Sequence, residues 1–599
     1  MINSATEHQE AAAALLDVVY SSRVLLLLTL VRESRSALQS DGTSTPHRFA
    51  EQADAWQLLA SAQAKEAAAL RSVLLDPQVG LWGAQVIRRL RNSGGAPVAG
   101  SPAIWVELGF LHQVAAAAAL RAGLRFTVAV PLRHGSAVLP GLGRASFADS
   151  LGLGLAEVRA TDDGVHIVCG KEVVTLPEDT ECDASGWEGL RRMRAEAPAG
   201  SLTVMLDDLG PYGLTEAAAP AKRLDQAAVQ RWASVLASAW SLLSRDHRTS
   251  AEALLPGLLS LIPLPRGARL RPHSASTSDA FGCVLVSEPD PEDDDAMAAQ
   301  LAVTLVHEFR HTLLNGLMFQ APLFGDCVEL YHAPWRDDPR PLGGLVHGAY
   351  SFAGVTSFWR TRSMIDDGVA GELAAFEFAL WRQQTAQILA KLAGHASLTL
   401  RGAALVAALQ DDVGRCLTDP LPLRPARTAE LAAQHHLAVW RTFHLERPQG
   451  IVHALAEAWL EGAVAPDAGE AVLVANPEAC RVDALAVLAR LMITAESEFE
   501  ELRRAPSIDE AMPGAALADF ALIRGEFSEA TRLYVSELQG GSARPAAWAG
   551  LGLALCGSGD TDLGTVVTAR PELLFALFRE IGRRQGKVAD PLKLAAWLS

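Results

Sequence analysis

Apolar residues recur at helical spacing from Glu10 to about Ala122, as in the alanine-rich stretch 54–75, and turns near Gly94 and Pro102 interrupt the run. The pattern predicts an all-helical N-terminal lobe, residues 1–122. After Leu124 the period shortens. Phe126-Thr127-Val128-Ala129-Val130, Gly164-Val165-His166-Ile167-Val168 and Val173-Val174-Thr175-Leu176 are β-branched runs bounded by turn residues, which predicts strands of a small antiparallel sheet. Residues 202–206 predict a further strand, closed by the turn 207–211. A helix is expected from Asp225 to Leu243, followed by extended segments at 258–263 and 282–287. The acidic stretch 288–295 then precedes an apolar-periodic run to about Met318, and negative charge suits a helix N-terminus. Beyond Gly371 the helical pattern returns, with a proline-rich break at 419–425 that marks a candidate domain edge.

These elements predict a mainly α chain with a smaller β component. In this α+β layout a central unit, 123–370, carries the metal motif between the helical lobes 1–122 and 371–599. Near the C-terminus, Gly525-Glu526-Phe527-Ser528-Glu529-Ala530, Tyr534 and Trp548-Ala549-Gly550-Leu551-Gly552-Leu553-Ala554 match one tetratricopeptide-like pair within 515–556. An ordinary helical hairpin accounts for the same residues, and either reading points to packing or peptide docking rather than chemistry.

Composition narrows the setting. A chain of 599 residues exceeds one compact core, so about two to four structural units are expected. Hydrophobic residues at 49% and charged residues at 20% describe a folded chain, and a formal charge of -17 argues against a broad nucleic-acid surface. Seven scattered cysteines without CxxC pairs fit a reducing compartment. Residues 1–10 lack a basic segment ahead of an apolar one, and the apolar run 24–31, edged by Arg23 and Arg32, is too short to span a bilayer. The expectation is a cytoplasmic protein with neither membrane nor nucleic acid as partner; the oligomeric state is left open.

The chemistry lies in Val306-His307-Glu308-Phe309-Arg310-His311. Residues four apart on a helix face one way, so His307 and His311 can converge on one divalent ion, with Glu308 beside its open position. Leu301, Val303, Leu305, Val306, Leu313, Leu314, Leu317 and Met318 surround the motif, which excludes a solvated charged face. Two hydrogen-bonded core histidines with a paired glutamate form the alternative. A catalytic site of this kind takes a third protein ligand. His347, in Leu345-Val346-His347-Gly348-Ala349-Tyr350, is the first choice; Glu372 and Glu377 are the carboxylate alternatives, and Glu329 and His332 follow.

Between motif and His347, residues 329–344 mix prolines, charges and aromatics without periodicity, which predicts a long structured loop suited to substrate contacts. Arg336 and Arg340 could clamp a carboxylate, or could pair with Asp337 and Asp338 to fix the loop; Arg360 and Arg362 are further candidates.

At these residues the chain resembles a family of bacterial HExxH-motif peptide-modification proteins, found with ribosomally made, post-translationally modified peptides. The resemblance rests on residues 305–315 and, more specifically, on Tyr331-His332-Ala333-Pro334-Trp335-Arg336-Asp337-Asp338-Pro339-Arg340-Pro341-Leu342-Gly343-Gly344-Leu345-Val346-His347-Gly348. It implies Fe(II)- and 2-oxoglutarate-dependent β-hydroxylation of a side chain in a ribosomal precursor peptide. His307, His311 and His347 would then hold iron, one of Arg336, Arg340 and Arg360 would anchor the 2-oxoglutarate carboxylate, and Glu308 would orient a ligand or reacting group. The rival chemistry is zinc peptide hydrolysis with Glu308 as general base. A non-catalytic peptide-binding scaffold with a structural metal is the third expectation.

Overall fold

The structure is a computed structural model that describes residues 5–40, 53–93, 102–147, 154–212, 223–265, 270–288 and 294–599. The turn expected at Gly94 and most of the acidic stretch, 289–293, lie outside the described residues. The chain is mainly helical, 61%, with a smaller sheet component, 13%, as an α+β reading requires. It forms two compact units, Met1–Ala321 and Pro322–Ser599. Their division falls inside the stretch grouped from sequence as 123–370, and between His311 and His347.

In the first unit the expected N-terminal helices are present: Ala5–Ser40, Ala53–Lys65, Ala67–Leu74, Pro77–Ser93 and Ile104–Arg121. The last is buried almost throughout, because its run Ala115 to Ala119 presents no bulk and lets neighbours close on every side. The apolar run 24–31 belongs to a longer helical stretch, Glu10–Ser34, that is long and apolar enough to cross a membrane by length and composition. That stretch also packs within its own unit. Val19, Leu27 and Leu30 are buried, and Arg23 reaches inward to donate to the Asp279 carbonyl at 2.5 Å.

Twelve described strands follow: β1 Phe126–Pro131, β2 Ser136–Leu139, β3 Gly143–Ser146, β4 Leu155–Thr161, β5 Gly164–Cys169, β6 Glu172–Thr175, β7 Trp187–Gly189, β8 Arg191–Ala197, β9 Gly200–Leu206, β10 Ser260–Leu264, β11 Ser274–Ala275 and β12 Cys283–Ser287. They form an antiparallel sheet β1-β4-β5-β6, a three-stranded sheet β2-β3-β7, and a five-stranded sheet β11-β12-β10-β9-β8. In the last, β10 runs parallel to β9 and β12, which requires the crossover helices Gln226–Asp246 and Arg248–Gly257 between β9 and β10. β12 is buried at every position, a strand covered on both faces, whereas β4 alternates with Ala156, Val158 and Ala160 inward. β11 turns back antiparallel to β12 and forms one edge of the sheet.

Immediately after β12 the chain reaches the motif helix, Asp294–Gln320. Two glycines set its position. A side chain at Gly257 would collide with the Phe309 ring, and one at Gly316 would press on Leu15 and Phe281. The helix therefore seats Phe309, the residue after Glu308, in the space that a glycine leaves open.

The second unit opens with a hairpin rather than a plain loop. β13 Leu330–Tyr331 pairs antiparallel with β14 Arg340–Pro341, and the helix Leu342–Ile365 starts directly after it. Helices Gly368–Leu392, Leu400–Cys416 and Leu423–His444 follow, and the proline-rich segment 419–425 joins the last two within this unit. A two-stranded pair, β15 Leu445–Glu446 and β16 Val472–Leu473, precedes the terminal helices. Among these, Leu517–Ile523, Phe527–Gln539 and Pro545–Ser558 pack closely because Gly550 faces the Tyr534 ring and Gly557 faces Phe527. The buried Asp519 accepts from the Tyr534 hydroxyl at 2.6 Å and from Arg544 at 2.7 Å, which ties the three helices together.

Candidate metal centre

On the motif helix His307 and His311 face each other across one turn, with Nε2 atoms 3.3 Å apart and ring planes 83° from parallel. Two imidazole nitrogens at about 2.0–2.1 Å from a shared ion, at a tetrahedral angle, stand about 3.3–3.4 Å apart. The pair has the spacing of a two-histidine chelate; a single N–H···N hydrogen bond between the rings also suits it. Burial pushes the His307 imidazolium down to about 4, so the ring is neutral near pH 7, the form a ligand must have. Among the described residues no group of three or more His, Cys, Asp or Glu side chains is gathered as a metal cage. The motif helix thus brings two imidazole nitrogens together and does not by itself form a complete ligand set.

Glu308 is buried, 3% exposed, and both of its oxygens are engaged. The Ser274 hydroxyl donates to Oε1 at 2.7 Å and the Ser276 hydroxyl to Oε2 at 2.6 Å. A buried carboxylate needs such donors, each hydrogen bond to a charged group contributing about 1.5–3 kcal/mol. The sequence reading missed both serines. They lie 34 and 32 positions before Glu308 and become its neighbours only because β11 folds back along the sheet edge.

The remaining sequence-derived candidates belong to the second unit. His347 lies in the helix Leu342–Ile365, and burial lowers its pKa. Arg336 and Arg340 both bind Asp338, at 2.9 and 3.0 Å. Against the opposing pull of burial, these two guanidinium groups hold the Asp338 carboxyl below its usual range. Arg360 pairs with Asp419 at 2.5 Å, and Arg362 pairs with Asp366 one turn later. Every arginine proposed as an anion clamp therefore has a carboxylate partner already. Glu377 is bound by Arg490, at 2.5 and 3.1 Å, and by the Trp381 indole at 2.8 Å, while Glu372 faces Arg424 at 3.4 Å. Glu377 is thus a structural anion, and the ligand alternative offered for it is not supported by these contacts.

The hairpin 329–344 is held by stacking and hydrogen bonds along its length. Trp335 stacks on Phe352 at 4.7 Å and 15°, and a side chain at Gly348 would collide with that indole. Asp337 accepts from the backbone of Arg481 and Val482 at 3.1 Å each, and its carbonyl lies 2.8 Å from His444 Nε2. His332 Nε2 stands 3.2 Å from His436 Nδ1, beside Trp440. Its pKa falls well below normal through burial and through the neighbouring His436, Lys391 and His444. Glu329 receives the Cys327 thiol at 2.8 Å, and Tyr331 lies 2.9 Å from His395. The residues that make this block distinctive in sequence are largely those that pack it.

Neither a family model nor a curated protein matches the chain.

Proposed function

We propose that the chain is a peptide-modifying metalloenzyme, with His307 and His311 as two ligands of a catalytic ion. The observation that supports this most is the 3.3 Å approach of their Nε2 atoms beside a buried, doubly bonded Glu308. The reaction we assign is β-hydroxylation of a side chain in a ribosomal precursor peptide, with Fe(II), 2-oxoglutarate and dioxygen, following the resemblance at residues 305–315 and 331–348. The ion with its cosubstrate would supply the oxidising power; a peptide C–H becomes C–OH while 2-oxoglutarate and dioxygen leave as succinate, carbon dioxide and the inserted oxygen. Glu308 has both oxygens committed to serine hydroxyls, which suits a residue that fixes geometry better than one that must collect a proton. His347 remains the sequence-derived third ligand, to be tested by the metal content of His347→Ala. For Arg336, Arg340 or Arg360 to anchor 2-oxoglutarate, the cosubstrate carboxylate would replace Asp338 or Asp419 as partner. The terminal helices, read as a tetratricopeptide-like pair, would serve as a docking element for the precursor peptide.

One observation favours zinc peptide hydrolysis as a second reading. β11 is an edge strand bonded to Glu308, and an extended peptide adds readily to such an edge. Anaerobic reconstitution with Fe(II) and, separately, with Zn(II), followed by mass analysis of a precursor peptide encoded beside the gene, decides between them. A gain of one oxygen that requires 2-oxoglutarate supports hydroxylation. Hydrolytic fragments with zinc alone would replace it by the second reading, and an unmodified peptide under both conditions counts against either chemistry.

A further inference from the structure

We propose that Ser274 and Ser276 are positioning residues of the metal centre, a two-hydroxyl clamp that sets the orientation of Glu308. The inference rests on the reading of His307 and His311 as metal ligands. Ser274 lies in β11 and Ser276 directly follows its end; from these adjoining positions the two hydroxyls meet the two oxygens of one carboxylate. Held at both oxygens, the carboxylate cannot turn about its last bond.

The clamp itself is anchored at both ends. Before it, His273 and Ser287 exchange hydrogen bonds, from the His273 amide to the Ser287 hydroxyl and from the Ser287 amide to the His273 carbonyl, each at 2.8 Å. Ser274 and Ala275 pair with Val286 and Leu285 of β12. After the clamp, the Thr277 hydroxyl accepts from the Asp279 amide at 3.3 Å and caps the short turn Ser278–Ala280. On the other side Phe309, seated against Gly257, fixes the helix that carries Glu308. Two separately secured elements therefore meet at one carboxylate, adjacent in sequence to a ligand histidine. Outer residues that orient a site in this way typically change metal affinity by about 10–100-fold when removed.

The test uses the full chain and Co(II) alone, whose visible absorption reports the geometry around the ion. The wild-type chain is expected to bind Co(II), and His307→Ala to lose it. Ser274→Ala/Ser276→Ala is expected to bind about tenfold more weakly, with an altered band shape, while Ser274→Thr/Ser276→Thr, which keeps both hydroxyls, restores the wild-type spectrum. In a Glu308→Ala background the serine changes should add nothing, since the clamp acts only through that carboxylate. If the serine variants melt at a lower temperature yet leave affinity and spectrum unchanged, or if their effect adds in full to Glu308→Ala, the pair is only a structural bridge and the proposal fails. Equal Co(II) binding by wild type and His307→Ala overturns the metal reading itself, a separate outcome.

Discussion

The helix that carries His307 and His311 and the hairpin that carries His332 both hold histidines in poorly hydrated surroundings, and burial lowers the pKa in each. Their neighbours differ. His307 and His311 face each other from one helix, ring edge to ring face, at ligand spacing. In the second unit His332 abuts His436, and His444 is bracketed by the Asp337 carbonyl and the Asn476 amide. His435 is buried 4.0 Å from Asp519. A depressed pKa thus occurs in the motif histidine and in the packed hairpin histidine alike. The close approach of ring nitrogens is likewise shared, 3.3 Å in the motif and 3.2 Å between His332 and His436; what separates the two is that the motif pair sits one turn apart on one helix beside the buried, doubly bonded Glu308.

The largest expected effect falls on the packed cluster. Burial holds His435 and His436 at about 4, below the unfolded value of about 6.5. Between those pH values the unfolded chain binds the additional protons, so these rings contribute stability that is complete above about pH 6.5 and is lost as pH falls toward 4. The loss is on the order of 3 kcal/mol per ring in the second unit. Hydrogen exchange of the helix Leu423–His444, followed from pH 7 to pH 4.5, should show protection collapsing, and His436→Gln should flatten the profile. A pH-independent profile would mean that these rings are not buried neutral in solution.

Next comes Trp335, the centre of the hairpin's packing. Trp335→Ala removes the stack on Phe352 and leaves the space against Gly348 unfilled, at a cost of about 3 kcal/mol in urea unfolding. Gly348→Val should be comparably harmful, because the new side chain collides with the indole. If both variants keep wild-type stability and lose only peptide modification, the hairpin is a substrate element after all.

How far the sequence carried this comparison depends on the range of the signal. The motif helix, β1, β5, β6, β9, β10 and β12 were legible because each carries its own period or β-branched run. β8, Arg191–Ala197, was not: four of its seven residues are charged, and only Met193 and Ala195 turn inward, so it is a strand by virtue of pairing with β9. The hairpin was read as a loop because two-residue strands ending at Pro341 show no alternation. Ser274 and Ser276 carry no local mark at all; a hydroxyl becomes part of a site only when the fold supplies a carboxylate. At the motif the i, i+4 spacing made His307 and His311 legible as a pair, while a third ligand and a cosubstrate anchor would depend on contacts that no spacing encodes.

The third effect tests the other arm. On the proposed metal reading His311→Ala removes one of two chelating nitrogens and should weaken metal binding by about a hundredfold or more, above the range for residues that only support a ligand. His436→Ala should leave affinity within a factor of about two, since its partner is His332 and not the motif helix. Equilibrium dialysis with Zn(II) measures both. Equal losses in the two variants would erase the distinction between the motif pair and the packed pair.

The smallest stability effect is the most useful for the cosubstrate. Arg336 is more than half exposed and shares Asp338 with Arg340, so Arg336→Ala should change unfolding free energy by less than about 1 kcal/mol. An arginine that anchors 2-oxoglutarate must nevertheless release Asp338 to do so, and its loss would then raise the KM for 2-oxoglutarate at least about tenfold while stability stays level. Arg360→Ala, which frees Asp419 in the same unit, tests the second candidate in the same way. If neither variant moves that KM, then neither Arg336 nor Arg360 anchors the cosubstrate and both ion pairs are structural. Arg340 would remain to be tested in the same way. A shift in one variant alone would locate the anchor that the sequence pattern left among three arginines.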